Sequence, residues 1–239
     1  LAPGPVARLA NAVYRRPKIA QRFDTGQRDL LTIAAGILDQ AEALDVEVTD
    51  GVMRCYRFRT DMPRGLALLL HGWTVDSRAM AAFAQPLMDA GYDALLVDLP
   101  GHGHSFGEGT DAGIAGRAVI ELLDQLGERP KALIGHSYGG GVAGILADLG
   151  YAPERFACIA SPCALSSITN DFCAAFSLSA SCKLAFEAQV SADMGMPLAD
   201  LDAMRIWPDQ ATDILVLHAP DDAEVDFWNG ENIATLPNA

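Results

Sequence analysis

Short apolar runs separated by amphipathic segments dominate the pattern of hydrophobic and polar positions along this chain. Five such runs lie within residues 66–70, 93–100, 131–134, 156–160 and 213–218. A strand that is apolar at nearly every position is buried on both faces, as in a parallel sheet covered by helices. The pattern therefore predicts an α/β fold with a mostly parallel, doubly wound sheet.

The first 45 residues follow a helical period instead. Residues 5–16 predict a short helix that ends at Pro17, because proline cannot continue a helix. From Gln27 to Leu44, apolar side chains recur at steps of three and four residues, which predicts an amphipathic helix. We interpret residues 1–45 as a helical leader that packs against the body of the protein.

Residues 46–239 are expected to form the main domain. The apolar positions on either side of Asp50-Gly51 predict a β-hairpin, because this dipeptide is a strong tight-turn signal. Between the fourth and fifth apolar runs lie about fifty residues of helical character. This is too long for a plain crossover connection, so we expect residues 164–205 to form a helical cap inserted over the carboxyl edge of the sheet.

Charge and composition exclude several classes of partner. The chain has 31 acidic and 17 basic residues and a formal charge of −14, which would repel the phosphates of a nucleic acid. No apolar stretch approaches the ~20 residues that cross a bilayer, and no secretory signal is visible at the basic N-terminus. The five cysteines form no Cys-x-x-Cys pair, which favours free thiols in a reducing compartment over disulfides or a zinc site. These features predict a cytoplasmic protein without a membrane span or a metal.

The segment 131–141 carries the strongest chemical signal. An apolar strand runs directly into Gly135-His136-Ser137-Tyr138-Gly139 and then into a helix rich in small residues. A sharp strand-to-helix turn holds a serine hydroxyl exposed, and it needs small neighbours two positions before and after the serine. The N–H groups that begin the helix would favour a developing oxyanion. The context predicts Ser137 as a nucleophile, the alternative being a glycine-rich turn with an inert serine.

Three further segments complete a resemblance to the α/β-hydrolase superfamily. They are His71-Gly72-Trp73 after the first buried strand, residues 98–105 after the second, and residues 216–225 at the fifth. Residues 164–205 also resemble the small helical cap of bacterial members. By this resemblance, the backbone N–H groups of Trp73 and Tyr138 are the oxyanion donors.

The resemblance also implies a catalytic acid just beyond the fifth run. The family pattern of an acid followed three residues later by valine fits Asp222 and Val225, with the adjacent Asp221 as the alternative. Its role would be to orient and stabilise a histidine, without itself taking the proton.

The triad histidine is the departure from the family pattern. The family order is serine, acid, histidine, but no histidine follows Asp222 in this sequence. The five histidines are His71, His102, His104, His136 and His218. Structural roles are expected for His71, His136 and His218, which lie at motif positions and strand ends. His102 and His104 lie on a loop near the site and are candidates for a substitute base. We expect that the chain stops before the family's last strand, histidine and helix, which would leave it inactive with an exposed sheet edge at 213–218.

The function implied by the resemblance is a serine hydrolase that cleaves small carboxylic esters or related acyl compounds through an acyl-enzyme, without a metal or organic cofactor. Thioesterase, amidase, C–C hydrolase and perhydrolase chemistry stay open, because one scaffold carries many sites. The second hypothesis is a non-catalytic, hydrolase-like protein that binds a ligand or partner. Five cap side chains are candidates either for an apolar substrate pocket or for packing within the cap: Phe172, Phe176, Phe186, Met194 and Met196.

Overall fold

The computed structural model describes residues 2–17 and 25–239. The strands of this part are Glu42–Val48 (β1), Gly51–Phe58 (β2), Leu66–Leu70 (β3), Asp93–Val97 (β4), Pro130–His136 (β5), Arg155–Ile159 (β6) and Asp213–Leu217 (β7). They form one sheet in the order β1-β2-β4-β3-β5-β6-β7. The pairs β1/β2 and β2/β4 are antiparallel and the other pairs are parallel. The predicted α/β class with a mostly parallel sheet is confirmed.

Helices connect and cover these strands. They are Pro3–Tyr14 (α1), Thr25–Leu38 (α2), Ala84–Asp89 (α3), Ala112–Leu126 (α4), Tyr138–Leu146 (α5), Leu165–Ala175 (α6), Ala180–Met194 (α7), Ala203–Ile206 (α8) and Trp228–Ile233 (α9). A 3₁₀ segment, Ser77–Phe83, leads into α3. Within residues 2–17 and 25–239, no helix has the length and apolar character needed to traverse a bilayer.

The two faces of the sheet carry separate cores, which explains the continuous apolar runs. On one face, Leu68 and Leu70 of β3 pack in a cluster with Leu122 of α4. On the other face, Leu69 packs in a cluster with Met80 of the 3₁₀ segment. Because alternate side chains of a strand point to opposite faces, both must be apolar where helices cover both sides.

One predicted element boundary is wrong. Helix α2 ends at Leu38, whereas the apolar period predicted a helix continuing to Leu44. Strand β1 begins at Glu42, and Leu44 pairs with Cys55 of β2 in the hairpin that Asp50-Gly51 indicated. An apolar residue at this position fits both the helical and the strand period, and cross-strand pairing decides between them.

Residues 164–205, the expected cap, form an excursion of the chain between β6 and β7. Its two ends meet, because Ala164 and Asp202 form an isolated β-bridge and the Leu165 N–H donates to the Leu201 carbonyl (3.0 Å). Inside it, the fully buried Phe186 of α7 joins an apolar cluster that also contains residues of α1. The N-terminal helix is therefore packed onto the cap.

Among the described strands, β7 pairs only with β6. Leu215 and Leu217 of β7 are 57% and 47% exposed, as expected for an apolar strand at a sheet edge. The chain after α9 returns to this edge, where the Ile214 N–H donates to the Asn238 carbonyl (2.7 Å) and the Asn238 Nδ2 donates to the Thr212 carbonyl (2.8 Å).

Candidate active site

Ser137 occupies a strained turn between β5 and α5. Its backbone has φ 50° and ψ −115°, a combination that is costly for a residue with a Cβ atom. The Ser137 N–H donates to the Ile159 carbonyl (2.8 Å), and the Gly140 N–H donates to the Ser137 carbonyl (2.9 Å). Ser137 is half-buried and forms part of the wall of a cavity. This arrangement is that of a nucleophile elbow.

Close backbone packing explains the glycines around Ser137. A Cβ atom added to Gly139 would lie 2.2 Å from the carbonyl oxygen of Leu70, and one on Gly140 would lie 1.9 Å from Ser161 Oγ. A Cβ on Gly135 would lie 2.9 Å from the carbonyl oxygen of Gly139. All three separations are shorter than a carbon atom tolerates, so the turn depends on glycine at these positions.

The two candidate oxyanion donors lie beside the serine. Strands β3 and β5 are parallel neighbours, so the loops that follow them emerge side by side. A Cβ atom on Gly72 would be 3.5 Å from the Ser137 Cβ, which shows how closely this loop approaches the nucleophile. The rings of Trp73 and Tyr138 meet edge-on at 4.8 Å between centroids. The fold thus brings both residues to one side of the elbow.

Of the two candidate acids, Asp222 is the one that accepts backbone hydrogen bonds. Its Oδ1 accepts the N–H groups of Glu224 and Val225, both at 2.9 Å, and its Oδ2 lies 3.8 Å from His218 Nε2. Asp221 is exposed. Partial burial raises the pKa of the Asp222 carboxyl, but the two backbone donors and the nearby imidazoles outweigh burial and lower it below its usual value. Asp222 is a fixed carboxylate at the carboxyl edge of the sheet.

His71 and His102 are buried in the loops that follow β3 and β4. The His71 Nδ1 donates to the Gly72 carbonyl (2.7 Å) and its Nε2 accepts the Leu99 N–H (3.0 Å). His102 lies between two backbone carbonyls of the same loops. Both rings therefore hold backbone groups in place, which is the structural role expected for His71 but removes His102 from the candidates for a substitute base.

The other three histidines differ in their contacts and in their exposure. His218 is 2% exposed, and its Nε2 bonds the Val225 carbonyl (2.7 Å). His136 is half-exposed and packs against Gly72, and burial lowers the pKa of its imidazole. His104 is on the surface. In the part of the chain that the structure describes, no histidine is hydrogen-bonded to Ser137.

The buried imidazoles predict acid sensitivity. Burial, aided by the neighbouring His102, lowers the pKa of His71 from 6.5 to about 3. The unfolded chain therefore binds a proton between these pH values that the folded chain does not, so stability is complete above about pH 6.5 and falls as the pH falls. For His71 alone we expect the free energy of unfolding to be lower by about 2 kcal/mol at pH 5 than at pH 8. Urea unfolding at the two pH values measures this difference.

The matched control is His104→Gln, which replaces an exposed histidine and leaves the buried contacts of His71 in place. An unfolding free energy that stays constant within about 0.5 kcal/mol between pH 8 and pH 5 would contradict the buried, neutral state of His71.

A cavity of about 220 Å³ lies beside Ser137. Its wall is largely apolar and includes Leu165, Ile206, Trp207 and Val225. Cys163 is also part of this wall, and burial raises the pKa of its thiol to about 11, so the thiol stays protonated at neutral pH. The cavity is a site for an apolar group next to the nucleophile.

The cap side chains proposed from the sequence do not all line the cavity, because some of them pack inside the cap. Met194 lines the cavity, whereas Phe172 and Phe186 stack at 5.2 Å within the cap and Met196 packs against the same cluster. Phe176 is 58% exposed, and its ring lies 4.7 Å from that of Phe172 at the outside of the cap. Sequence reasoning could not separate these roles, because each residue satisfies the apolar face of a cap helix.

Much of the cavity wall was not predicted from the sequence, and Tyr14, Asp111 and Glu224 are among the residues that were missed. Tyr14 comes from the N-terminal helix, more than one hundred residues from the nucleophile along the chain. Asp111 is the N-cap of α4, where its Oδ1 accepts the Ile114 N–H (2.8 Å). The residues around Asp111 indicate only the start of a helix. Nothing in the sequence around Tyr14 indicates a functional site.

The loop after β4, which resembled a family segment, is organised by a buried carboxylate. Asp98 accepts the N–H groups of Ser77 (3.0 Å) and His104 (2.9 Å). A Cβ atom on Gly103 would lie 2.1 Å from Asp98 Oδ2, so the loop closes tightly around this side chain. Asp98 lines a second cleft of about 430 Å³ that contains neither Ser137 nor Asp222. Among the described residues, no cluster of histidine, cysteine and carboxylate side chains could hold a metal ion.

Comparison with known proteins agrees with this architecture. The sequence profile of the family described as "alpha/beta hydrolase fold" matches residues 67–200. The dihydrolipoyllysine-residue acetyltransferase component of the acetoin cleaving system of Cupriavidus necator is 34% identical over 140 residues, which are 57% of this chain and 36% of that protein. The non-heme chloroperoxidase CPO-A1 of Kitasatospora aureofaciens is 34% identical over 95 residues, 38% of this chain and 34% of that protein.

The chain thus spans about a third of the length of the curated relatives it matches. Among solved structures, a hydrolase from Pseudomonas aeruginosa PA01 superposes with a TM-score of 0.61 at 20% identity, covering 82% of this chain and 87% of that one. At this identity the likeness concerns the fold. Because the family profile matches more than half of the residues and the elbow lies within the matched segment, the chain belongs to the α/β-hydrolase fold family.

Proposed function

We propose that this protein is a serine hydrolase that cleaves carboxylic esters or related acyl compounds through an acyl-enzyme. The observation that carries the proposal is Ser137, held in a strained turn in the wall of a largely apolar cavity. Strain of this kind persists only where the surrounding packing enforces it, and binding a ligand does not require it.

In the proposed mechanism, the Ser137 Oγ attacks the carbonyl carbon of the substrate and transfers its proton to a histidine base. The oxygen of the tetrahedral intermediate accepts hydrogen bonds from the backbone N–H groups of Trp73 and Tyr138. Collapse of the intermediate expels the alcohol, which takes the proton from the histidine, and water then releases the acyl group by the same steps in reverse. None of these steps involves a metal or an organic cofactor.

Asp222 is the proposed partner of that histidine. Its two backbone hydrogen bonds keep the carboxylate ionised and fixed, as the role of orienting an imidazole requires. Asp221, being exposed, lacks this support. The proposal leaves the identity of this histidine unassigned, because no histidine in the described part of the chain is hydrogen-bonded to Ser137.

The test is covalent labelling by a fluorophosphonate of the protein expressed from its natural gene, followed by peptide mapping. We expect a single modified residue, Ser137, because only a serine activated by a base and an oxyanion site attacks the probe rapidly. The 239-residue chain is labelled in parallel to determine whether these residues suffice. A folded natural protein that stays unlabelled would contradict the proposal and support the non-catalytic ligand-binding alternative.

A further inference from the structure

The N-terminal helix α1 supplies part of the wall of the cavity beside Ser137. Tyr14, its last residue, lines that cavity. The Tyr14 ring lies 6.2 Å from the Trp73 ring in a near-parallel arrangement and meets the rings of Phe172 and Phe186 edge-on at 5.2 and 5.4 Å. Tyr14 therefore fills the space between the oxyanion loop and the cap.

Polar contacts hold α1 to both the main domain and the cap. Arg15 pairs with Asp111 at the start of α4 (3.2 Å) and with Asp193 of the cap helix α7 (2.9 Å). The Asn11 Nδ2 donates to the same Asp193 carboxylate (2.7 Å), and the Thr110 N–H donates to the Arg15 carbonyl (2.8 Å). Because Arg15 follows Tyr14 directly, these contacts fix the tyrosine ring in the wall.

The space that Tyr14 bounds is small. An apolar cavity of about 150 Å³ takes a benzene molecule, so 220 Å³ corresponds to about nine non-hydrogen atoms. Replacing the tyrosine side chain by a methyl group would open further room on the order of 100 Å³ on the side between the oxyanion loop and the cap.

We propose that Tyr14 limits the size of the acyl group that the site accepts. The unsubstituted protein, the parent of the variants, then takes short-chain or single-ring acyl groups. A variant without the tyrosine ring takes longer ones. The identity of the ligand as an acyl group rests on the proposed function, whereas the size limit rests on the cavity. Tyr14 is thus a specificity-determining residue contributed by a helix outside the sheet and the cap.

The test measures binding of methyl ketones, which carry the carbonyl group but no leaving group. The 239-residue chain is titrated with 2-alkanones of four to thirteen carbons, and tryptophan fluorescence reports binding, since Trp73 and Trp207 both line the cavity. Each added methylene should tighten binding about fourfold until the cavity is full, at about eight carbons plus the carbonyl oxygen, and then have no further effect. The chain length at which binding stops tightening is the break in the series. In Tyr14→Ala the break should move to chains longer by about four carbons, with more than tenfold tighter binding of the longest ketone.

Two variants serve as controls. Tyr14→Phe retains the ring and should keep the break of the parent, and Leu9→Ala removes a 69%-exposed side chain of the same helix and should do likewise. If Tyr14→Ala fails to fold by circular dichroism, Tyr14→Leu takes its place with a smaller shift in the same direction. A folded variant whose break stays at the parent length, or whose binding weakens equally for all lengths, would overturn the size limit.

The outcome is separable from that of the labelling experiment. Ketone binding with the expected break, together with a natural protein that a fluorophosphonate does not label, would refute the proposed hydrolase and leave the size limit standing. Labelling at Ser137 without any break in the ketone series would refute the size limit alone.

Discussion

Ser137→Ala is expected to abolish fluorophosphonate labelling of the natural protein and to lower its turnover of a short-chain p-nitrophenyl ester by a factor of about 10⁶, the loss typical of removing a serine nucleophile. The reason is that the hydroxyl forms the covalent bond of the intermediate, and no group in the cavity wall replaces it. Cys163, the thiol in that wall, is kept protonated by burial and is a poor nucleophile. Initial rates and labelling intensity measure the effect.

Two observations separate loss of chemistry from loss of structure. Ser137→Ala should unfold at nearly the same urea concentration as the unsubstituted protein, because the change removes one oxygen atom from a residue that is only half-buried. Ser181→Ala, which changes an exposed serine of the cap, should retain full turnover. Turnover that survives in purified Ser137→Ala would require a different nucleophile and refute the mechanism.

Gly139→Ala is expected to destabilise the fold by at least about 3 kcal/mol. The added Cβ would lie 2.2 Å from the carbonyl oxygen of Leu70 and 2.9 Å from that of His71, both backbone atoms at the end of β3 that cannot rotate away. Helix α5 and strand β3 would have to separate, which would also displace the loop of Trp73 from Ser137. Urea unfolding gives the loss of stability, and labelling of the natural protein should fall with it.

Gly141→Ala is the matched control two residues further along α5. Nothing lies within 4 Å of a Cβ atom at this position. Alanine is a better helix former than glycine, so we expect a gain of about 0.5–1 kcal/mol. A Gly139→Ala protein that unfolds within 1 kcal/mol of the parent would show that the elbow can relax and that its glycines are not required by packing.

Much of the sheet was predictable because its signals are local. The run at 66–70 coincides with β3, and the other four runs match strands within a few residues. A central parallel strand must be apolar on both faces, so a short run of apolar residues indicates both that a strand is present and that it is buried. The elbow was predictable for the same reason, since its glycines and its serine lie within five consecutive residues.

The remaining features depend on contacts between distant parts of the chain. The end of α2 at Leu38 was not predictable, because Leu44 suits either a helix or a strand until β2 pairs with it. The structure supports Asp222 over Asp221 through two backbone hydrogen bonds that form only when the turn after β7 closes. The sequence alone presents two adjacent aspartates.

The sequence by itself therefore determined the α/β class, the places of the buried strands along the chain and the position of the strained serine, because each is encoded by residues that are neighbours in the chain. Only the tertiary structure decided which side chains form the wall of the cavity. Tyr14 reaches Trp73 and the cap because Arg15 binds Asp111 and Asp193, residues about one hundred and one hundred and eighty positions away. No local pattern of hydrophobic and polar positions records a contact across such a separation, since the pattern of α1 shows only that one of its faces is apolar.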